Sequence, residues 1–190
     1  MEMPIEEDQV FQQLVQENDP QFLEQARQEF PRLKELDIGY KYTPREDRGF
    51  IEFYPEDEPG SPDFPRPKEL PMGKPGIEVY NPKTRPIDVA GDIASHYMIY
   101  NDPSMMDYYN QFRHSINPEQ QQRLQQQYEF YRQNYGENRP YEKWYEMTGL
   151  PGYFRGYPFQ QWEPEVVEQA YTPQQRLLLD QMMNYLRGKE

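Results

Sequence analysis

Three residues with the means for chemistry, Asp88, Asp92 and His96, recur at intervals of four. On a helix that spacing stacks them along one face. Two carboxylates and an imidazole in a row could ligate a divalent metal, or present a base oriented by an acid. Glu52 and Glu78, each inside a short run of strand-forming residues, could complete such a metal site if the sheet packs beside that face. The same residues have a purely structural reading. Asp88 falls in the first helical turn, where negative charge is favoured. Asp92 with His96 makes a surface pair worth on the order of a few tenths of a kcal/mol. Val89, Ile93, Tyr97 and Tyr100 supply the adjacent apolar stripe that would face a core.

The helix that would carry them opens at Arg85-Pro86, with proline at its first position, and runs to about Tyr100. Three more starts follow the same design. Asp102-Pro103 caps a stripe of Met105, Tyr109, Phe112 and Ile116. Asn117-Pro118-Glu119-Gln120 and Thr172-Pro173-Gln174-Gln175 are capping boxes. They open helices striped by Leu124, Tyr128, Tyr131 and Tyr135, and by Leu178, Leu179, Met182, Tyr185 and Leu186. A short helix is expected over 140–148. His114 has no patterned acid partner and reads as part of a solvated face.

Upstream, residues 1–36 read as a helical arm of two amphipathic pieces. One starts at Pro4 and carries Val10, Phe11, Leu14 and Val15. The other starts at Asp19-Pro20, carries Phe22, Leu23, Ala26 and Phe30, and stops at Pro31. From 37 to 190 a single domain is expected. Ile38–Tyr42 and Gly49–Tyr54 read as strands joined in a hairpin, with Gly76–Tyr80 as a third. Between the last two lie prolines at 55, 59, 62, 65, 67, 71 and 75. That density excludes a helix or a central strand and favours extended chain. Phe64, Leu70 and Met72 could pin it as a wrapped segment over the domain. Tyr153, Phe154, Tyr157, Phe159 and Trp162 crowd a Pro/Gly-broken stretch and form a candidate binding surface.

The composition narrows the functional classes. With 20 Lys+Arg against 33 Asp+Glu the formal charge is −13. Such a chain lacks the cations that drive general phosphate binding or attraction to an anionic membrane. Mean hydropathy is −1.16, yet 17 Tyr, 9 Met and 2 Trp supply apolar bodies for a modest core. With no cysteine, disulfides, Cys-ligated zinc and thiol nucleophiles are excluded. Two histidines exclude a three-His zinc site. There is no GxSxG, phosphate loop, dinucleotide fingerprint, HExxH or EF-hand loop. The acidic start MEMPIEED has no apolar signal region, and no apolar run is long enough to span a membrane.

Two segments, EPGSPDFPRPKELPMGKPGIEVYNP (58–82) and TRPIDVAGDIASHYM (84–98), resemble proteins of bacteriophages and related mobile elements. These are chains encoded among virion or DNA-ejection genes, and polyvalent accessory proteins. The resemblance implies a phage or prophage origin and a role in the particle or in host takeover, with synthesis in the host cytoplasm and incorporation into a virion. It assigns no catalytic positions.

The sequence therefore leads to an α+β fold, mainly helical, with a small antiparallel sheet packed on a helical bundle and a Pro-rich extended segment. The favoured function is a non-catalytic interaction component, without a cofactor, whose partner is a virion or host protein or a further copy of itself. A hydrolase using Asp88, Asp92 and His96, with Glu52 or Glu78 and a divalent metal, is the alternative. An acidic inhibitor that mimics nucleic acid is the second alternative.

Overall fold

A computed structural model of the 190-residue chain describes residues 21–45, 51–63, 65–135 and 171–189. It is α+β and mainly helical. Helix α1 (Phe22–Glu29) leads into a 3₁₀ turn at Pro31–Glu35, then strands β1 (Gly39–Tyr42), β2 (Ile51–Tyr54) and β3 (Gly76–Val79). Helix α2 starts at Pro86–Ile93, widens into a π turn over Ala94–Met98 and closes with an α turn at Ile99–Asn101. Helices α3 (Pro103–His114), α4 (Pro118–Tyr135) and α5 (Pro173–Leu186) complete the order. The expected helices at 4–15 and 140–148 lie outside the described residues.

The sheet departs from a simple hairpin. Its order is β1-β3-β2, with β3 parallel to β1 and antiparallel to β2. All four residues of β3 are buried, whereas β1 and most of β2 are half-buried. The strand with the most surface to hide thus takes the middle, and separates the two expected to pair with each other. A parallel partner needs a long crossover, and residues 43–75 provide it.

One apolar cluster joins sheet and helices. Ile77 and Val79 share it with Val89, Ala90 and Ile93 of α2, while α1 packs on α2 and brings Phe22, Leu23 and Ala26, followed by Phe30, into the same cluster. The second helix of the N-terminal arm is therefore core. Beyond it α3 and α5 pack together through Met105, Tyr109 and Phe112 against Leu178, Leu179, Met182 and Leu186.

The helix starts form as their sequences dictate. Asp102 Oδ1 accepts from the Ser104 and Met105 amides at 3.0 Å each, and Asn117 Oδ1 accepts from the Gln120 amide at 2.8 Å. Thr172 and Gln175 close their capping box. Gln175 does more. Its buried amide exchanges hydrogen bonds with that of Gln120, at 2.5 and 2.8 Å, and donates to Ser115 O. The start of α5 is thereby locked to the start of α4. Buried amides need such complete pairing, because an unmet polar group costs about 1–3 kcal/mol.

The Pro-rich segment lies on the sheet as a strap. Leu70 is 2% exposed and fills the notch left by two glycines: a Cβ on Gly39 or Gly76 would stand 3.2 or 3.1 Å from its methyl carbons. Lys41 pairs with Glu69 and Lys74 with Asp37, both at 3.0 Å. At its far end Gly73, with φ of +84°, makes a turn open to few residues other than glycine.

Candidate functional site

The sheet has two faces, and strand alternation assigns each candidate residue to one of them. Ile77, Val79, Ile51 and Phe53 turn toward α2; Glu78, Tyr80, Glu52 and Tyr54 turn toward the strap. The contacts agree. Phe53 stacks on His96, with centroids 5.6 Å apart and planes 15° apart, and lies 6.5 Å from Tyr97. On the opposite face Tyr54 lies beneath Arg66, whose guanidinium carbon is 5.9 Å from the ring centre.

Glu52 and Glu78 are therefore directly opposite one another in the antiparallel pair, as a shared site requires. They are separated from Asp88, Asp92 and His96 by the thickness of the sheet, so the five do not come together as the alternative metal site that the sequence allowed. The reason is the period of two. Ile77 and Val79 must face the helix to build the core, which commits Glu78 to the other side. Among the described residues no group of three or more His, Asp or Glu is placed to hold a metal ion.

On the helix side, Asp88 and His96, the two ends of the i, i+4, i+8 row, are drawn into different contacts. Asp88 is 7% exposed and closes the first turn of α2. It accepts from the Arg85 backbone N–H at 2.9 Å and takes the Arg85 guanidinium on both oxygens, at 3.0 and 2.9 Å. That paired carboxylate raises the Arg85 pKa further. His96 Nε2 stands 4.0 Å from Asp92 Oδ1, beyond hydrogen-bond range, and its ring is held mainly by Phe53. The π turn intervenes here: His96 sits at its centre, so the spacing of four no longer spans a regular α turn. Ser95 Oγ donates back to Gly91 O at 2.7 Å.

On the strap side lies a cluster that the sequence reading passed over. Glu78, 5% exposed, accepts on one oxygen from Tyr80 at 2.8 Å and from Tyr54 at 3.1 Å, and the two phenols are 3.3 Å apart. Burial, followed by Tyr80 and Glu78, pushes the Tyr54 phenol far above its ordinary pKa. It therefore remains a donor. The signal was present: Tyr54 and Tyr80 each follow a strand glutamate by two residues, which places them on the same face.

Above this cluster Arg66 acts as the hub of the strap. Its Nε donates to Leu70 O at 2.9 Å, Nη1 to Pro55 O and Glu58 O at 2.5 and 3.4 Å, and Nη2 to Pro71 O and Lys74 O at 2.7 and 2.6 Å. Proline has no N–H, so a proline-rich chain carries more carbonyl acceptors than amide donors. The five N–H groups of one guanidinium supply donors that the strap's own backbone lacks.

The strap also reaches the helix. Tyr97 donates to Glu56 Oε1 at 3.1 Å, and burial, with Glu56 second, raises the Tyr97 pKa. The aromatic candidates Tyr153, Phe154, Tyr157, Phe159 and Trp162 lie outside the described residues. Set against protein-family models, curated proteins and solved structures, the chain matches none. Among the described residues no helix is long and apolar enough to cross a membrane.

Proposed function

We propose that the chain is a non-catalytic protein-interaction component, a structural or accessory protein of a bacteriophage or prophage. What supports this reading is how the reactive candidates are held. Asp88 is engaged by a helix cap and an arginine, Glu78 by two tyrosines, and His96 by a phenylalanine. These side chains serve the fold on two separate faces of a sheet, and no nucleophile and base are aligned among them. Abundant Tyr and Met, strong negative charge and a long non-helical strap suit extended contact with other proteins. The phage assignment rests on the resemblance of residues 58–82 and 84–98.

The test is the protein's own particle. Virions produced by the element that encodes the chain are banded on a density gradient and analysed by quantitative mass spectrometry. A fixed copy number per particle, or a stable complex with a host protein in infected cells, is the expected result. A chain absent from particles and monomeric in infected extracts overturns the reading. So does native mass spectrometry showing one EDTA-sensitive divalent ion that His96→Ala abolishes, which would restore the metal-dependent alternative.

A further inference from the structure

The π turn of α2 and the Met72–Gly73 turn of the strap meet at Glu56. Tyr97 of the π turn donates to its carboxylate at 3.1 Å. The Gly73 amide donates to its carbonyl at 2.9 Å, which brings the Met72–Gly73 turn to the same residue. Phe53, three residues earlier on β2, stacks on His96 and borders Tyr97. Tyr100 follows Tyr97 by three residues on the same helix. Met72 and Tyr100 are 54% and 52% exposed, and they are two of the four large apolar side chains exposed among the described residues. Asp57 and Glu58 continue from Glu56, and all three are exposed. The Phe53–His96–Tyr97 contact, the Met72–Gly73 turn and a run of three carboxylates thus converge at Glu56.

We propose that this surface, formed by Met72, Phe53, His96, Tyr97 and Tyr100 and edged by Glu56, Asp57 and Glu58, docks a cationic amphipathic segment of a partner protein. The partner segment carries lysines or arginines interleaved with apolar residues. The proposal rests on the interaction reading above and names the partner's chemistry. An apolar centre with a polar rim is the usual anatomy of a protein interface. Methionine adapts to irregular apolar partners, and aromatic rings give large contact area. The carboxylate edge selects cations and repels phosphate, which argues against nucleic acid. It also argues against a second copy of this chain, because each copy carries a formal charge of −13 and would face like with like.

A random peptide library displayed on yeast, selected against the full chain, tests the proposal. The expected outcome is enrichment of peptides with Lys or Arg between apolar residues. Their affinity falls at least about tenfold in Met72→Ser/Tyr100→Ser and again in Glu56→Gln/Asp57→Asn/Glu58→Gln, and is unchanged in Leu177→Ser. All of these positions are exposed and none belongs to the core; the Glu56 variant keeps an acceptor for Tyr97, and circular dichroism verifies each fold. Peptides of that composition that bind both multiple variants as tightly as the parent overturn the location. Enriched peptides that are acidic or uncharged overturn the partner's chemistry, and a library with no enriched peptide overturns the docking site itself. None of these outcomes touches the particle experiment, by which the interaction reading is judged separately.

Discussion

The two faces of the three-stranded sheet are held by different physics. Toward α2, Ile77 and Val79 are fully buried among aliphatic residues of two helices, an attachment that is non-directional and scales with area. Toward the strap, Glu78 and Arg66 hold their neighbours by charge-assisted hydrogen bonds, which depend on angle and distance. The first face tolerates changes of shape that keep volume and apolarity. The second tolerates changes of volume poorly at its glycine notch and loss of a single donor hardly at all. The comparison explains why this chain, with 35% hydrophobic residues and 20 prolines, still covers both faces of its sheet. It has apolar surface for one face and uses a guanidinium for the other.

Experiments can separate the two modes, beginning with the largest effect. Ile77→Ala removes a buried side chain from the helix face and is expected to cost about 3 kcal/mol, read as a lower urea midpoint with unchanged slope. A loss under about 1 kcal/mol would place the stability of the sheet on the strap side instead. Arg66→Ala should cost about 2 kcal/mol. Its distinctive mark is local: faster hydrogen exchange at the Arg66, Leu70 and Gly73 amides, which bond to Pro59 O, Pro67 O and Glu56 O, with β3 still protected. Arg66→Lys should recover little, because an ammonium cannot reproduce the planar five-donor fork.

Alkaline pH probes the Tyr54 phenol. Its folded pKa is raised above the ordinary phenol value of about 10, so the folded state retains a proton that the unfolded state gives up. Stability is then fully present below that value and falls as pH rises past it, with a limiting slope of about 1.4 kcal/mol per pH unit for each such group. Tyr54→Phe should begin less stable at neutral pH, having lost a donor to Glu78, and should decline less steeply above pH ~10. Parallel declines would mean that other phenols carry the effect; Tyr97 and Tyr185 are shifted in the same direction.

The glycine notch sharpens the contrast further. Gly76→Ala should cost about 1 kcal/mol, because the new methyl meets Leu70 at 3.1 Å and Arg66 lies 3.5 Å away. In a double-mutant cycle Leu70→Ala should relieve part of that penalty, and strict additivity would mean that the strap does not press on the strand. The smallest effect is expected from the Asp92–His96 pair, whose coupling in a double-mutant cycle, in which the stacking of His96 on Phe53 cancels, should be below about 0.5 kcal/mol, since the two stand 4.0 Å apart. A coupling of several times that amount would promote the pair to a structural element in its own right.

Much of the helical layer was legible in the sequence. Proline at the first helical position and a capping residue before it mark local events, and the starts at Pro86, Pro103, Pro118 and Pro173 formed where those marks stand. The strands too were recognisable, from Tyr, Ile, Val and Phe at short range. Their pairing was not, because which strand takes the middle depends on the burial of the whole molecule and not on any local run. The candidate site failed for the same kind of reason. A spacing of four correctly placed Asp88, Asp92 and His96 on one helix, and a period of two correctly placed Glu52 with Glu78. What no local pattern carried was the side of the sheet on which α2 would land. Arg66 was overlooked because its role comes from a shortage, the missing N–H groups of the surrounding prolines, and not from a motif.

The π turn at Ala94–Met98 gives α2 a property akin to a reading frame. An added residue within a helix advances everything after it by about 100°, and here the turn absorbs such an excess without breaking the rod. Before the turn, Val89 and Ile93 are phased to the core. Within it Tyr97 meets the strap, and after it Asp102 meets both the first amides of α3 and the Tyr185 hydroxyl of α5 at 3.0 Å. The two halves of the protein are thus synchronised by a count of residues more than by their identities. Substitutions at the half-buried His96 and Tyr97 should act locally, and those at the buried Ala94 and Met98 through core packing, whereas deleting one residue there would turn the carboxyl-terminal layer out of step with the sheet in a single event.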